Sequence, residues 1–164
     1  MVISAYIQSI PVSEAQLLVR RIKDGTVIDH IDSGMALIVL RALNITGREG
    51  SVITVAMNVP SNKLERKDMI KVENRFLEPN ETNKLALLAP TATINIIRDY
   101  RVVEKRKVEI PDKFVGVFRC SNPKCVTNSK EDIVPIIDVI DKQKQTLKCR
   151  YCSRVLDVGE LIYQ

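Results

Sequence analysis

Four cysteines stand in two close pairs, Cys120-x4-Cys125 and Cys149-x2-Cys152, with 23 residues between the pairs. A short loop can aim two thiolates at one ion, and two such loops complete a tetrahedral four-cysteine set. Pro123, Lys124 and Arg150 suit the tight turns this needs. These are all the cysteines of the 164-residue chain, so no sulfur is left over. Four protein ligands leave no open position for a reactive water, so the ion, read as one zinc per chain, is structural. A redox pair at Cys149 and Cys152, two disulfides, or an iron site are the competing readings. Disulfides would need an oxidising compartment, which nothing in the sequence indicates. Every cysteine falls after Pro111, where a Lys/Arg-rich stretch ends. The chain is therefore expected to divide into residues 1–110 and a small metal domain, 111–164. About 54 residues hold too small a core to fold unaided, so that domain is expected to need its metal.

The first part reads as an α+β unit whose core must be aliphatic, since hydrophobic residues make up 45% of the chain, aromatics 4%, and Trp is absent. Lys23-Asp24-Gly25 carries a tight-turn signal between Arg20–Ile22 and Thr26–Ile31, which points to a hairpin with Leu18–Ile22 as its first strand. Ser13 with Gln16 offers a competing helix-capping box. Asp32 or Ser33 is expected to cap a helix reaching about Leu43, with Leu37, Leu40 and Leu43 along it. Alternation makes Ser51–Val59 a strand ending at Pro60, and Met69–Asn74 is expected to be another. Asn80 is expected to cap a short helix over Lys84–Ala89, followed by strands at Thr93–Ile97 and Arg101–Val108. This order fits a ferredoxin-like α/β sandwich, an antiparallel sheet with two helices, followed by a small all-β zinc-ribbon-like domain.

Strand periodicity separates the two sheet faces. Ile70, Val72, Ile94 and Ile96 can pack beneath the helices. Lys67, Met69 and Lys71, with Thr93, Asn95 and Ile97, then share the opposite face. Ammonium groups, an amide and aliphatic patches there suit a phosphorylated ligand with a ring. An ordinary solvent-facing sheet is the plainer reading. The net charge of +5 points less to nucleic acid than it first suggests. Residues 111–164 hold nine Lys/Arg against seven Asp/Glu, so a zinc–tetrathiolate cluster, itself −2, makes that part nearly neutral. The remaining excess gathers in Arg98–Lys107, a compact basic corner better suited to one phosphorylated ligand than to a long polyanion.

Catalysis has little to stand on. The one histidine, His30, follows Asp29 in an expected strand, where neighbours point to opposite faces, so adjacency makes no His–Asp relay. No G-x-S-x-G, P-loop or G-x-G-x-x-G motif occurs. No apolar run approaches the roughly 20 residues of a membrane span. MVISAYIQSIPVSEAQ lacks the pattern of a secretory signal, so a cytoplasmic location is expected and a membrane is not.

GTVIDHI (25–31), RKDMIKVEN (66–74), LALLAPTATIN (85–95) and CRYC (149–152) go further. In order and spacing they resemble the regulatory chain of aspartate carbamoyltransferase, from about Leu17 to the end. The resemblance implies a non-catalytic subunit of pyrimidine biosynthesis, with an N-terminal allosteric domain binding effectors such as CTP and ATP. It also implies a C-terminal zinc domain docked on the catalytic chain, regulatory homodimers, and an assembly of six catalytic and six regulatory chains. By position, the nucleotide pocket implied includes Val19, Ile22, Val27, Asp29 and His30 from the first strand region. Lys67, Met69 and Lys71 follow, then Asn95, Ile97, Tyr100, Val102 and Lys105, with Lys105 toward the phosphates and Lys71 toward ribose or base. Asn122, Arg150, Tyr151 and Arg154 are the implied contacts to the catalytic chain. Arg20 and Ser153 depart from acidic residues of the family, and Lys124 departs from Asn. A zinc-ribbon protein binding nucleic acid is the alternative, but an aromatic stacking stripe is missing. A redox enzyme using Cys149 and Cys152 is a third reading.

Overall fold

A computed structural model describes residues 19–160, 162 and 163. Leu18 and the Ser13–Gln16 capping box lie outside them. The first body runs β1 (Gly25–Asp32), α1 (Ala36–Ala42), β2 (Ile53–Ser61), β3 (Glu65–Glu73), α2 (Pro79–Thr82), a 3-10 helix (Asn83–Leu87), β4 (Thr93–Arg98) and β5 (Arg101–Lys107). Its five-stranded sheet has the order β2-β3-β1-β4-β5, and every neighbouring pair is antiparallel. This is the expected ferredoxin-like sandwich with one more strand at the edge. The expected hairpin is absent among the described residues. β1 hydrogen-bonds to β3 on one side and β4 on the other, so it has no edge left for residues 20–22, which run as irregular chain. Gly25 opens the strand at φ 138°, where a Cβ would lie 2.1 Å from the Val72 carbonyl oxygen, so only glycine fits.

The helices differ from expectation in where they begin. α1 starts at Ala36, with Met35 at its N-cap and no side-chain cap. That role falls to Asp68, fully buried on β3, whose Oδ2 accepts from the N–H groups of Gly34 and Ala36 at 2.9 and 3.0 Å. Its Oδ1 accepts from Asn58 N–H at 2.8 Å. A nearby buried carboxylate thus satisfies the helix terminus that Asp32 and Ser33 would have capped. Ala36, Val39 and the expected Leu43 face the core with Leu40 packed against it, while Leu37 is 62% exposed. The second helix begins earlier than expected. Glu78, not Asn80, caps it through a reciprocal box with Glu81, and Pro79 takes the first turn. β2 continues through Pro60 to Ser61, which an edge strand permits because one side needs no ladder donors.

Ile70, Val72, Ile94 and Ile96 are buried together with Ala36, Val39, Leu85, Ala86 and Ala89, as alternation requires. Beyond Pro111 come β6 (Lys113–Val115), β7 (Phe118–Arg119), β8 (Ile136–Asp141), β9 (Thr146–Cys149), β10 (Val155–Leu156) and β11 (Ile162–Tyr163). They form a four-stranded sheet, β10-β9-β8-β6, and a two-stranded ribbon, β11-β7. Phe114 and Phe118 meet edge-on at 5.0 Å over a second core of Ile137, Leu147, Leu156 and the buried cysteines. Leu87 of the first body is buried in that second core, and Ile110 packs against both.

Asp68→Ala strips three N–H groups of their acceptor and should lower stability by about 3–5 kcal/mol. Leu37→Ala should change it by no more than about 0.5 kcal/mol. Urea unfolding of the two variants measures both, and similar losses would contradict this account of α1.

Candidate functional site

The sheet face away from the helices carries a cavity of about 330 Å³. Its floor is a cross-strand row, Lys71 on β3, Val27 on β1, Asn95 on β4 and Lys105 on β5, each paired in register with the next. Met69 and Ile97 lie two residues along from Lys71 and Asn95, on the same face, and also line it. Asp29, Ile22, Val102 and Tyr100 complete the walls. Asp99 and Tyr100 occupy consecutive positive-φ positions, 46° and 63°, as a type I′ turn between β4 and β5 requires. Two bonds brace that turn: Tyr100 N–H to the Lys23 carbonyl at 2.9 Å, and Asp99 N–H to Asp24 Oδ1 at 3.1 Å. They hold the Tyr100 ring, half exposed, at the cavity.

Ten of the thirteen expected pocket residues therefore line one cavity, while Val19, His30 and Lys67 stand just outside it. Val19 contributes its carbonyl, which with that of Arg20 accepts from Lys71 Nζ at 3.3 and 2.7 Å. Arg20, a departure from the family pattern, is thus tied in through its backbone. Lys71 is only 8% exposed, and burial lowers its pKa below the usual lysine value; Asp29 opposes the shift and Arg21 adds to it. Lys67 pairs with Asp29 Oδ1 at 2.8 Å.

His30 corrects the sequence reading. A bulge between Ile28 and Ile31 interrupts the pairing with β3, and His30 adopts φ 58° there. Strict alternation fails, and His30 Nδ1 comes within 3.4 Å of Asp29 Oδ2. Burial lowers the pKa of His30 below 6.5; Asp29 pulls it up, and Lys67, Lys63 and Lys105 push it further down. The neutral ring is the favoured form at neutral pH. Arg21, which the family resemblance did not include, also lines the cavity. Its segment is not a strand, and Ile22 reaches the cavity with it. The basic corner also resolves. Arg98 lies over the Phe76 ring at 4.1 Å, Arg106 binds Glu104 and the Leu77 carbonyl, and Lys105 alone of the five cations lines the cavity.

In the second body the four cysteine sulfurs lie within 4.8 Å of one another. Cys120 Sγ is 3.6 Å from Cys152 Sγ, and Cys125 Sγ is 3.7 Å from Cys149 Sγ. Four thiolates about 2.3 Å from a common tetrahedral centre stand about 3.8 Å apart, so the cluster has the size of one metal site. The backbone N–H of Asn122 donates to Cys120 Sγ at 3.4 Å and the Thr127 hydroxyl to Cys125 Sγ at 3.2 Å. Such donors stabilise thiolate charge. Burial pushes Cys120 up to about 12 and raises Cys149. At Cys152 burial also pushes upward, but hydrogen bonds, foremost from the Arg154 N–H, bring the thiol down to about 7. Ser153 takes φ 60°, and its N–H donates to the Cys149 carbonyl at 2.9 Å, closing the knuckle.

The residues expected at an interface lie around this knuckle. Arg150 forms a two-pronged pair with Asp138, Tyr151 donates to the Val134 carbonyl at 2.9 Å, and Arg154 lies 3.4 Å from Glu160. Asn122 caps the turn at Lys124 N–H, at 3.0 Å.

Fold and sites together define a two-part chain, an antiparallel sandwich bearing a ligand-sized cavity and a four-cysteine metal-binding module. Residues 17–109 match the model of the aspartate carbamoyltransferase regulatory chain, allosteric domain, and residues 112–162 match that of its metal binding domain. Aspartate carbamoyltransferase regulatory chains of Nitrosopumilus maritimus, Thermofilum pendens and Pyrococcus furiosus are 62%, 55% and 50% identical. The alignments cover 92%, 92% and 90% of this chain and 98%, 96% and 97% of those relatives. The chain belongs to the family of aspartate carbamoyltransferase regulatory chains. That membership makes it a regulatory, non-catalytic chain of pyrimidine biosynthesis, in line with the sequence expectation.

Because the Lys71 ammonium holds the carbonyls of residues 19 and 20, Lys71→Met should free that segment. Amide exchange at residues 19–22 should accelerate about tenfold or more while β3 stays protected. Equal acceleration along β3 would mean that Lys71 supports the sheet itself.

Proposed function

We propose that residues 1–110 bind a nucleoside triphosphate of the CTP or ATP type and that residues 111–164, folded around one zinc, dock on a catalytic chain of aspartate carbamoyltransferase. Nucleotide binding would modulate that chain allosterically. The observation that carries the reading is the cross-strand row of Lys71, Val27, Asn95 and Lys105 beneath one cavity, in a chain whose family model is an allosteric domain. Charged donors stand at both ends of the row for phosphate and polar ligand edges. Aliphatic Ile22, Val27, Ile97 and Val102 can lie against a base. Asp29, already compensated by Lys67, repels a polyanion less than a bare carboxylate would.

Zinc is the metal favoured by four thiolates at tetrahedral spacing. The contacts to the catalytic chain would come from Asn122, Arg150, Tyr151 and Arg154, all beside the knuckle. Working in the cytoplasm, the chain would pair with a second copy within the six-plus-six assembly that the family resemblance implies. An effector acts only through unequal affinity for two states of such an assembly, typically about 1–3 kcal/mol of coupling.

Calorimetry tests the pocket. CTP or ATP should bind at one site on the sheet face, and Lys105→Ala should weaken binding about tenfold or more. Unchanged affinity in both Lys71→Ala and Lys105→Ala would place the nucleotide elsewhere.

Metal analysis and chelation test the second body. One zinc per chain is expected, and its removal should unfold residues 111–164 while β1 to β5 persist. Because binding displaces thiol protons, zinc affinity should fall as pH falls. A metal-free module that stays folded would contradict the structural role.

Assay of the catalytic chain, alone and with this chain, should show a nucleotide response only in the complex. An equal response of the isolated catalytic chain would overturn the regulatory reading.

A further inference from the structure

A second cavity, of about 360 Å³, opens where the two bodies meet and shares no residue with the cavity on the sheet. Asn80, Asn83 and Lys84, from α2 and the 3-10 helix after it, line one side. Lys113 and Phe114 of β6 line the other, with Pro111 and Val117 between. The two ammonium groups thus come from different bodies and border one space.

Glu81 and Asp138 lie within electrostatic reach of Lys84 and Lys113, but each carboxylate is bonded to another group. Burial pushes the Glu81 carboxyl upward, but the Glu78 N–H, Arg75 and Lys84 together bring it below its usual range. That carboxylate is engaged by Arg75 at 3.1 Å and by the Glu78 N–H at 3.0 Å. Asp138 faces Lys113 in the strand register, but both its oxygens are held by Arg150. Asp112, next to the linker proline, pairs with Lys142 at 2.7 Å. Among the described residues neither Lys84 nor Lys113 makes an ion pair of its own. A cavity bordered by two lysines without an ion pair, two amides and the apolar Phe114, Val117 and Pro111 is complementary to an anion that carries an apolar body.

We infer that this junction is a binding site for a small organic dianion with an apolar body, of the class of an aromatic phosphate monoester. Two ammonium groups match two negative charges, the asparagine amides supply further hydrogen bonds, and the apolar floor distinguishes such a ligand from bare phosphate. A ligand held by Lys84 and Lys113 at once ties the two bodies together across Pro111. It would therefore act on their relative placement, whichever ligand the sheet cavity holds.

The test is an amide-resolved NMR titration of the full, zinc-loaded chain with phenyl phosphate and, separately, with inorganic phosphate. Phenyl phosphate should shift the amides of 80–84 and 113–117 in a saturable way, with a dissociation constant on the order of millimolar, fitting so few contacts. Inorganic phosphate should bind the same amides at least about fivefold more weakly. Lys84→Ala and Lys113→Ala should each weaken phenyl phosphate about fivefold or more. Lys113→Arg should retain binding. Shifts confined to the sheet cavity, around Asn95 and Lys105, would overturn the inference. So would equal binding of the two probes, or unaltered binding in both alanine variants. The readout identifies the site by residue, so failure here leaves the nucleotide reading untouched, and failure of that reading leaves this one testable.

Discussion

β1 is hydrogen-bonded along both edges, and much of the first body follows from that. With β3 and β4 already paired to it, the strand has only its two faces left to deploy, and alternation assigns them. Ile28 goes inward to the helices and Val27 and Asp29 outward to the cavity, and the bulge before Ile31 turns that residue inward again. The register of β1 also sets that of its neighbours. Lys71, Asn95 and Lys105 line up because each is paired, directly or through one strand, with Val27. A one-residue slip in any strand would send its cavity residues into the core and its isoleucines into water. Thr26, fully buried, secures the start of the strand to the next connection, donating to the Arg75 carbonyl at 2.8 Å and accepting from Leu77 N–H at 3.0 Å. The interior packing and the cavity lining are two results of one pairing pattern.

That pattern explains what could be read from residues alone. Where a segment is a regular strand, period-two reasoning assigned faces correctly: Ile70 and Val72 inside, Met69 and Lys71 outside, Ile94 and Ile96 inside, Asn95 and Ile97 outside. Where the chain leaves that regularity, it failed. The bulge at Asp29–His30 brings together two side chains that alternation separates. The irregular stretch before Gly25 lets Arg21 and Ile22 reach the same cavity. The start of α1 was hidden for a different reason. Its donors are met by Asp68, more than thirty positions away in sequence, and no local window contains that contact. The Lys23-Asp24-Gly25 signal was misread because it marks a sharp entry into a central strand and not a hairpin.

The metal module works on another constraint. Its strands are short, two to six residues, and few such strands bury enough apolar surface to hold themselves together. Cysteines compensate by occupying core positions themselves. Cys120 and Cys149 are fully buried among Phe114, Phe118, Ile137 and Leu147. Burial there raises the Cys120 and Cys149 thiols, a cost that a metal cation bound to the thiolates would relieve. The cluster draws two knuckles distant in sequence to one point, and Arg150 and Tyr151 stand beside it. The close pairs of cysteines were legible because metal geometry is local and strict. The partners of Arg150 and Tyr151 were not, because Asp138 and Val134 approach only once β8 and β9 have paired.

The junction between the bodies is a shared core more than a hinge held by backbone alone. Leu87 ends the 3-10 helix of the first body yet is buried with Phe114 and Leu147 of the second, and Ile110 packs against both clusters. Leu85, two residues before Leu87, lies with Ile94 and Ile96 under the sheet. A shift of β4, whose outer face borders the cavity, therefore meets packed side chains all the way to the metal module. Close-packed interiors transmit such displacements because they compress little. Packing alone decides nothing about direction, since coupling requires two arrangements with different affinities for a ligand. The cavity beside Pro111 interrupts the packing along this junction. There a cavity bordered by Lys84 and Lys113 lies between the two bodies, while Leu87 and Ile110 hold them in contact on the buried side.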